Sequence, residues 1–384
     1  MISRDITLEF LTLLNEYPVV TILGPRQAGK TTLARSLDNY EYYNLEAPDT
    51  RELIKNDPRT FLAQIKGNVI LDEIQRIPEL LSYLQVYVDE KKKNGQFILT
   101  GSHQLQLKEA ISQSLAGRTA ILNLLPLSIK ELSGEQIEFD SFEQYVIHGF
   151  LPRVYDQKQR PTLAYSNYYQ SYVERDVRQL INIKDSNLFE KFIKLLAGRV
   201  GQLLDLSSLG NDVGVDAKTI KNWLSILEAS FVVYKLSPYF ENFGKRVIKS
   251  PKYYFSDVGL LAFLLGLETP QQVRRDPLLG SIFENLVIME CYKNRLNQGL
   301  PANLYFYRDS QHNEIDLIFQ KGRELIPIEI KSTATFHISL IKNLATFKKT
   351  IPSISDSYLI YSGDSKKINS EISALNYKEV FEIF

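Results

Sequence analysis

GPRQAGKTTLAR, residues 24–35, decides how the first third of this sequence is read. It follows YPVVTILG (17–24), a short β-branched run that ends at a glycine and reads as a buried strand. TLARSLDN (32–39) then continues at helical spacing. Gly24, Pro25, Arg26, Gln27, Ala28, Gly29, Lys30 and Thr31 therefore spell G-x-x-x-x-G-K-T between a strand and a helix, the context this motif needs. Its glycines let backbone N–H groups turn onto phosphate oxygens, and the helix entered through Lys30, Thr31 and Thr32 offers its positive N-terminus. Lys30 would reach the β- and γ-phosphates of ATP, and the Thr31 hydroxyl would hold a magnesium ion.

Two further strands extend the pattern. NVILDEIQ (68–75) is an apolar run ending in Asp72 and Glu73. Asp72 would stand beside the magnesium and Glu73 would polarise an attacking water, so the pair argues for hydrolysis rather than storage of nucleotide. QFILTGS (96–102) is another buried run, ending in Thr100 and Ser102. A hydroxyl there could orient the water or touch the γ-phosphate; a plain turn at the strand end fits as well.

The bulk composition bounds the rest. A chain of 384 residues suits two or three domains, and 44% hydrophobic with 23% charged residues is ordinary for a soluble globular protein. Lys+Arg and Asp+Glu both number 45, so any nucleic-acid contact must come from a local basic patch. The single Cys291 excludes an internal disulfide framework and a multi-cysteine zinc site. MISRDITLEF carries charges where a signal peptide has its apolar stretch, and no apolar run reaches about 18 residues, so a cytoplasmic protein is expected.

The P-loop, the Asp-Glu strand and the polar strand end together resemble AAA-type ATPases. QLQLKEAISQSL (104–115) reads as a helix and TAILNLLPL (119–127) as a fifth strand. Arg118 falls between them, where such ATPases often carry an arginine finger for a neighbouring subunit's nucleotide. A finger would require a homo-oligomer; a structural arginine fits the position equally.

Residues 140–185 read as a helical connection whose tyrosines suit a core, with Glu174, Arg175 and Asp176 on a solvated or locally paired face. LFEKFIKLLAGRVGQ, LDLSSLGNDVG and VDAKTIKNWLSILEAS (188–230) then read as three helices. FVVYKLSPYF and VIKSPKYYFSD follow as two strands around ENFGKR. Three helices and a hairpin is the order of a winged helix-turn-helix. Its last helix would expose Lys218, Thr219, Lys221 and Asn222 to phosphates or base edges and turn Trp223, Leu224 and Leu227 inward. Lys245, Arg246, Lys249 and Lys252 on the wing would supply the basic patch. Such modules also serve as plain protein-packing units.

In the last third, GSIFENLVIMECYKNRL (280–296) reads as a helix with Glu284 near its start. EIDLIFQ and ELIPIEIKS read as two strands of a hairpin, bringing Asp316 and Glu329 together with Lys331 beside them. Pro327 suggests a strand start or an edge. The set resembles the PD-(D/E)xK nuclease fold, which implies a divalent cation on Glu284, Asp316 and Glu329 and a water-positioning Lys331.

As a whole, the order of parts resembles a widespread prokaryotic family of AAA-type ATPases with a C-terminal winged helix and a restriction-endonuclease-like region. The resemblance rests on GPRQAGKT, VILDEIQ, FILTGS, SLAGR with LLPLSIKEL, YVERDV, PKYYFSDVGL, and FENLV with EIDLIF and IEIKS. The expected fold is α/β throughout: an ATPase domain over 1–140, a helical connection over 141–187, a winged helix over 188–255 and a nuclease-like domain over 256–384. Two functions remain open. One is an ATPase that switches a DNA-engaging half with metal-dependent nuclease activity; the other is a nucleotide-gated protein-interaction switch with a dead nuclease fold.

Overall fold

The computed structural model describes residues 2–102, 110, 111, 113–181, 183, 185–239, 249–311, 313–350, 354 and 356–384. It divides into two compact units: Met1–Leu127 with Ala229–Phe231 and Leu296–Leu300, and the remainder.

The first unit is built on five parallel strands, β1 (Val19–Leu23), β2 (Tyr40–Asn44), β3 (Asn68–Asp72), β4 (Phe97–Gly101) and β5 (Thr119–Asn123), in the order β2-β3-β4-β1-β5. All five residues of β1 and of β4 are buried, as parallel strands covered on both faces require. The helix Thr7–Glu16 packs Phe10 and Leu14 against Val20 and Ile22 of β1, Ile70 of β3 and Ile98 of β4. Helices Pro48–Asn56 and Pro58–Gln64 both start on proline, whose fixed φ suits the first helical position. The chain reverses its order across the sheet at β1, which lies between β4 and β5. A crevice at the C-terminal ends of the strands beside such a point is where open α/β sheets bind ligands. The P-loop leaves β1 there, and Asp72 ends β3 two strands away.

The second unit opens with short helices, Ile129–Gly134, Phe142–His148, Pro152–Asp156 and Pro161–Tyr168. The helical period then widens over Tyr169–Val177 into a π-helix, which the sequence does not announce. Helices Ser186–Ala197, Leu206–Val213 and Ala217–Ala229 follow. Asp185 and Asp205 cap the first two by accepting from the N–H groups of Asn187 and Ser207, each at 2.8 Å. Next come β6 (Val233–Pro238) and β7 (Lys252–Phe255), an antiparallel pair to which Leu203 adds a bridge at Lys252. Lys245 and Arg246 lie outside the described residues.

This hairpin does not stand alone. β6 also runs parallel to β8 (Leu304–Arg308), pairing Ser237 with Tyr305. It thereby joins a sheet of eight strands that includes β9 (Glu314–Lys321), β10 (Glu324–Lys331), β11 (Ser357–Tyr361), β12 (Lys366–Lys367) and β13 (Ile372–Asn376), in the order β12-β13-β11-β10-β9-β8-β6-β7. Pro327 is not at a strand start or at the sheet edge, as its missing N–H suggested. It lies inside β10 opposite Ile318, one residue before the pairing with β11 begins at Ile328.

Buried polar groups tie the second unit together. Asp257 is buried and accepts from Tyr165 Oη (2.8 Å), Gly259 N (2.8 Å) and Phe150 N (3.1 Å). Burial raises its carboxyl above the ordinary range even with Lys293 and these donors pulling the other way. A Cβ on Gly149 would fall 1.9 Å from the Tyr165 oxygen, so only glycine admits the bond there. Nearby, the buried Lys293 ammonium lies 2.7 Å from Glu290 Oε1 and over the Phe150 ring, while Glu290 Oε2 accepts from Ile129 N at 2.7 Å.

Candidate nucleotide site

The P-loop turns through two left-handed residues, Gln27 at φ 63° and Gly29 at φ 95°. Gly24 is required by space: a Cβ there would lie 2.0 Å from the backbone oxygen of Leu124. Arg4 braces the loop from the N-terminal segment, donating to Ala28 O and Leu125 O, both at 2.7 Å. Pro25 and Ala28 are buried, and Thr32 faces solvent.

Lys30 is buried and donates to two loop carbonyls, Gly24 O at 2.9 Å and Pro25 O at 2.8 Å. Burial pushes its ammonium down to about 8, against the pull of Glu73 and Asp72. A buried cation held only by neutral carbonyls suits an incoming phosphate.

Asp72 is the hub of the site. Its Oδ1 accepts from Thr31 Oγ1 at 2.9 Å and from Thr100, and its Oδ2 accepts from Tyr42 Oη at 2.7 Å. Burial, together with the Asp72 bond and charge, raises the Tyr42 phenol above its ordinary range, so it stays a donor. The hydroxyl of Thr31 and the carboxylate of Asp72 thus stand together as hard oxygen ligands fit for magnesium.

Glu73 adopts the left-handed region at φ 60° and ψ 50°, a conformation that costs about 1–3 kcal/mol for a non-glycine residue. Its N–H donates to Thr100 Oγ1 at 3.1 Å. Its carboxylate accepts from Ser102 Oγ at 3.1 Å and from the Gln75 amide. Gln75 also reaches Ser102 at 3.2 Å, and its Oε1 is buried with no hydrogen-bond partner among the described residues. The strained turn thus aims the Glu73 carboxylate beside Asp72 instead of leaving it on a strand face.

Tyr42, Gln75 and Arg4 carry this geometry and were not singled out from the sequence. Gln75 had a readable signal, lying two residues after Glu73; Tyr42 and Arg4 reach the site only through the sheet and the N-terminal segment. Arg118 pairs with Asp89 through both ends of its guanidinium, at 2.6 and 2.8 Å, and donates to Ala116 O at 3.0 Å.

Residues 16–133, which contain this arrangement, match the AAA domain family. Residues 139–271 and 279–380 match two domains of unknown function, DUF8612 and DUF4143. The uncharacterized protein Rv2008c of Mycobacterium tuberculosis is 32% identical over 343 residues, covering 88% of this chain and 75% of that one. The chain belongs to the family of that protein. An uncharacterized protein of Haemophilus influenzae is 26% identical over 369 residues, covering 86% of each. The solved Walker-type ATPase PABY2304 of Pyrococcus abyssi aligns with a TM-score of 0.47 at 14% identity, over 69% of this chain and 96% of that one.

The AAA domain does not contain the second set of candidate residues. Lys331 Nζ lies 2.7 Å from both Asp316 Oδ2 and Glu329 Oε2, and Ile330 N donates to Asp316 at 2.9 Å. Lys252 Nζ lies 3.1 Å from Glu284 Oε1 and 2.7 Å from Glu314 Oε1, and Tyr254 Oη donates to Glu284 at 2.5 Å. Lys252 was expected on a basic wing surface. It is instead 3% exposed, because β7 turns it toward these carboxylates. Burial and the Asp316 charge push Glu329 up to about 8, against Lys331. Burial also acts to raise Asp316, but Lys331 and Lys252 outweigh it and hold that carboxyl below its ordinary range. Among the described residues no group of three or more His, Cys, Asp or Glu is placed to hold a metal ion. Lys252 instead bridges Glu284 to Glu314, and Lys331 bridges Asp316 to Glu329.

Lys218, Lys221 and Asn222 are exposed, Thr219 is half-buried, and Trp223, Leu224 and Leu227 face inward. No helix among the described residues is long and apolar enough to cross a membrane.

Proposed function

We propose that this chain binds and hydrolyses magnesium-ATP and that the nucleotide state switches the second unit between working states. The observation that carries the reading is the Asp72 hub, in which the Thr31 hydroxyl, Thr100 and the Glu73 turn converge beside the buried Lys30. Thr31 and Asp72 would hold the magnesium, which neutralises phosphate charge when bound. Lys30 exchanges its loop carbonyls for phosphate oxygens. Glu73, oriented by Ser102 and Gln75, takes the proton of the attacking water at its carboxylate oxygen. Thr100 fixes both Asp72 and the turn that aims Glu73.

For the second unit, the exposed residues of helix Ala217–Ala229 support DNA as the partner, through phosphate and base-edge contacts. The lysines paired with Glu284, Asp316 and Glu329 support the alternative, an interaction module whose carboxylates are already engaged. ATP turnover with and without single-stranded, duplex and branched DNA tests both, with Lys30→Ala as the blank. Stimulation by one DNA form, weakened by replacing Lys218 and Lys221, supports DNA engagement, and loss of nicking in Asp316→Ala would restore the nuclease reading. Turnover indifferent to all DNA forms supports the interaction switch, and a wild type no faster than Lys30→Ala overturns the ATPase reading.

The pairing of Arg118 with Asp89 supports its structural role. Arg118→Ala should then turn over ATP at close to the wild-type rate; a loss of tenfold or more, recovered on mixing with Lys30→Ala subunits, would make it a finger.

A further inference from the structure

One carboxylate at the rim of the nucleotide site is shared by two arginines. Glu46 Oε1 lies 3.1 Å from Arg76 Nη2 and 3.4 Å from Arg26 Nη2. All three come from segments that frame the P-loop. Arg26 is inside it and close enough to act on the charge of Lys30. Glu46 follows β2, fixed by Leu45 N donating to Asp72 O at 3.1 Å and by Glu46 N donating to Asn44 Oδ1 at 2.9 Å. Arg76 closes the short helix after Glu73, its N–H on Glu73 O at 2.9 Å.

Two guanidiniums thus share one carboxylate at the rim of the loop that would cradle a polyphosphate. We infer that Glu46 holds Arg26 and Arg76 before ATP binds and releases them to the terminal phosphate of bound ATP, with Arg76 acting in cis as the cation that stabilises the transition state. This rests on the ATPase reading and goes beyond it by assigning a transition-state cation from the same subunit as the bound nucleotide. The Glu46 pairs are partly exposed, with 44% of each side chain accessible for Glu46 and Arg76, so exchanging them for the more highly charged terminal phosphate carries little penalty. A planar guanidinium gives two parallel donors to phosphate, which an ammonium cannot match.

The test compares Arg76→Ala, Arg76→Lys and Glu46→Gln with the wild type. Its readouts are ATP turnover, equilibrium binding of a fluorescent ATP analogue, and trapping of ADP with aluminium fluoride, with thermal unfolding as the check on folding. Arg76→Ala should lose about 10²- to 10³-fold in kcat and fail to trap ADP–aluminium fluoride, yet still bind the analogue. Arg76→Lys should recover part of both, which keeps the test decisive if the alanine variant folds poorly. Glu46→Gln should bind the analogue more tightly, since the arginines no longer have a competing carboxylate. Turnover and trapping by both Arg76 variants at wild-type levels would overturn the inference alone. A wild type that neither binds the analogue nor hydrolyses ATP would overturn it together with the ATPase reading.

Discussion

Replacing Glu73 by Gln should lower ATP turnover about 10²- to 10⁴-fold while leaving nucleotide binding intact. The two halves of that expectation come from different contacts. In the proposed site binding would depend on Lys30, the loop N–H groups and the Thr31–Asp72 pair, and the contacts of Lys30 and Thr31 do not involve the Glu73 carboxylate. Hydrolysis depends on a carboxylate able to accept a proton from water, and an amide of the same shape cannot. The backbone of the turn should survive the change, because Glu73 N still donates to Thr100 and Ser102 Oγ can donate to the new amide oxygen. Analogue binding measured beside single-turnover hydrolysis separates the effects. Hydrolysis at the wild-type rate would remove Glu73 from the mechanism; loss of binding would recast it as a structural residue of the site.

The largest expected change in stability lies in the second unit, in the buried pair Glu290–Lys293. Lys293 is 2% exposed, and the carboxylate facing it also takes the Ile129 N–H. Glu290→Ala removes the carboxylate that a buried ammonium and a backbone donor share, which should lower unfolding free energy by about 3–5 kcal/mol. Joint replacement of Glu290 by Leu and Lys293 by Met should recover part of the loss, since the bonded pair leaves together, while Asp257 then loses the pull of the Lys293 charge. The chain has one tryptophan, Trp223, buried against Phe192 in the same unit, so denaturant titration followed by its fluorescence reports this unit directly. A single variant as stable as the wild type would mean that Lys293 finds another partner or solvent.

The residues that can be read from sequence are those whose chemistry and spacing coincide. Gly24, Lys30, Thr31, Asp72 and Glu73 lie at the ends of two apolar runs, and the hydrophobic pattern alone reads those runs as buried strands; that β4 stands between them shows only in the sheet. Asp316, Glu329 and Lys331 were legible for the same reason, since a short turn dictates the register of β9 against β10. Lys252 was not. Its charge suggests solvent, and only the pairing of β7 with β6, and of β6 with β8, carries it beneath the sheet edge to Glu284 and Glu314. Tyr42 reads as one tyrosine among several in YEYYN, and nothing local says that its hydroxyl meets an aspartate 30 residues on. The π-helix at Tyr169–Val177 has no compositional mark, because its buried positions Tyr169, Tyr172, Val173 and Val177 still recur at spacings of three and four, as in an ordinary helix.

The double pairing of β6 bears on how the protein is made. Its antiparallel partner β7 is 14 residues away in sequence, from Pro238 to Lys252, whereas its parallel partner β8 begins only at Leu304. On the ribosome the hairpin would therefore emerge early and wait with one edge open while the helices Val258–Leu265, Pro270–Arg275 and Leu279–Asn297 are synthesised. An open strand edge is a site for pairing with other chains. Nascent polypeptides that stall or are cleaved between residues 256 and 303 should be the ones that aggregate or draw chaperones, and those released past β8 should not.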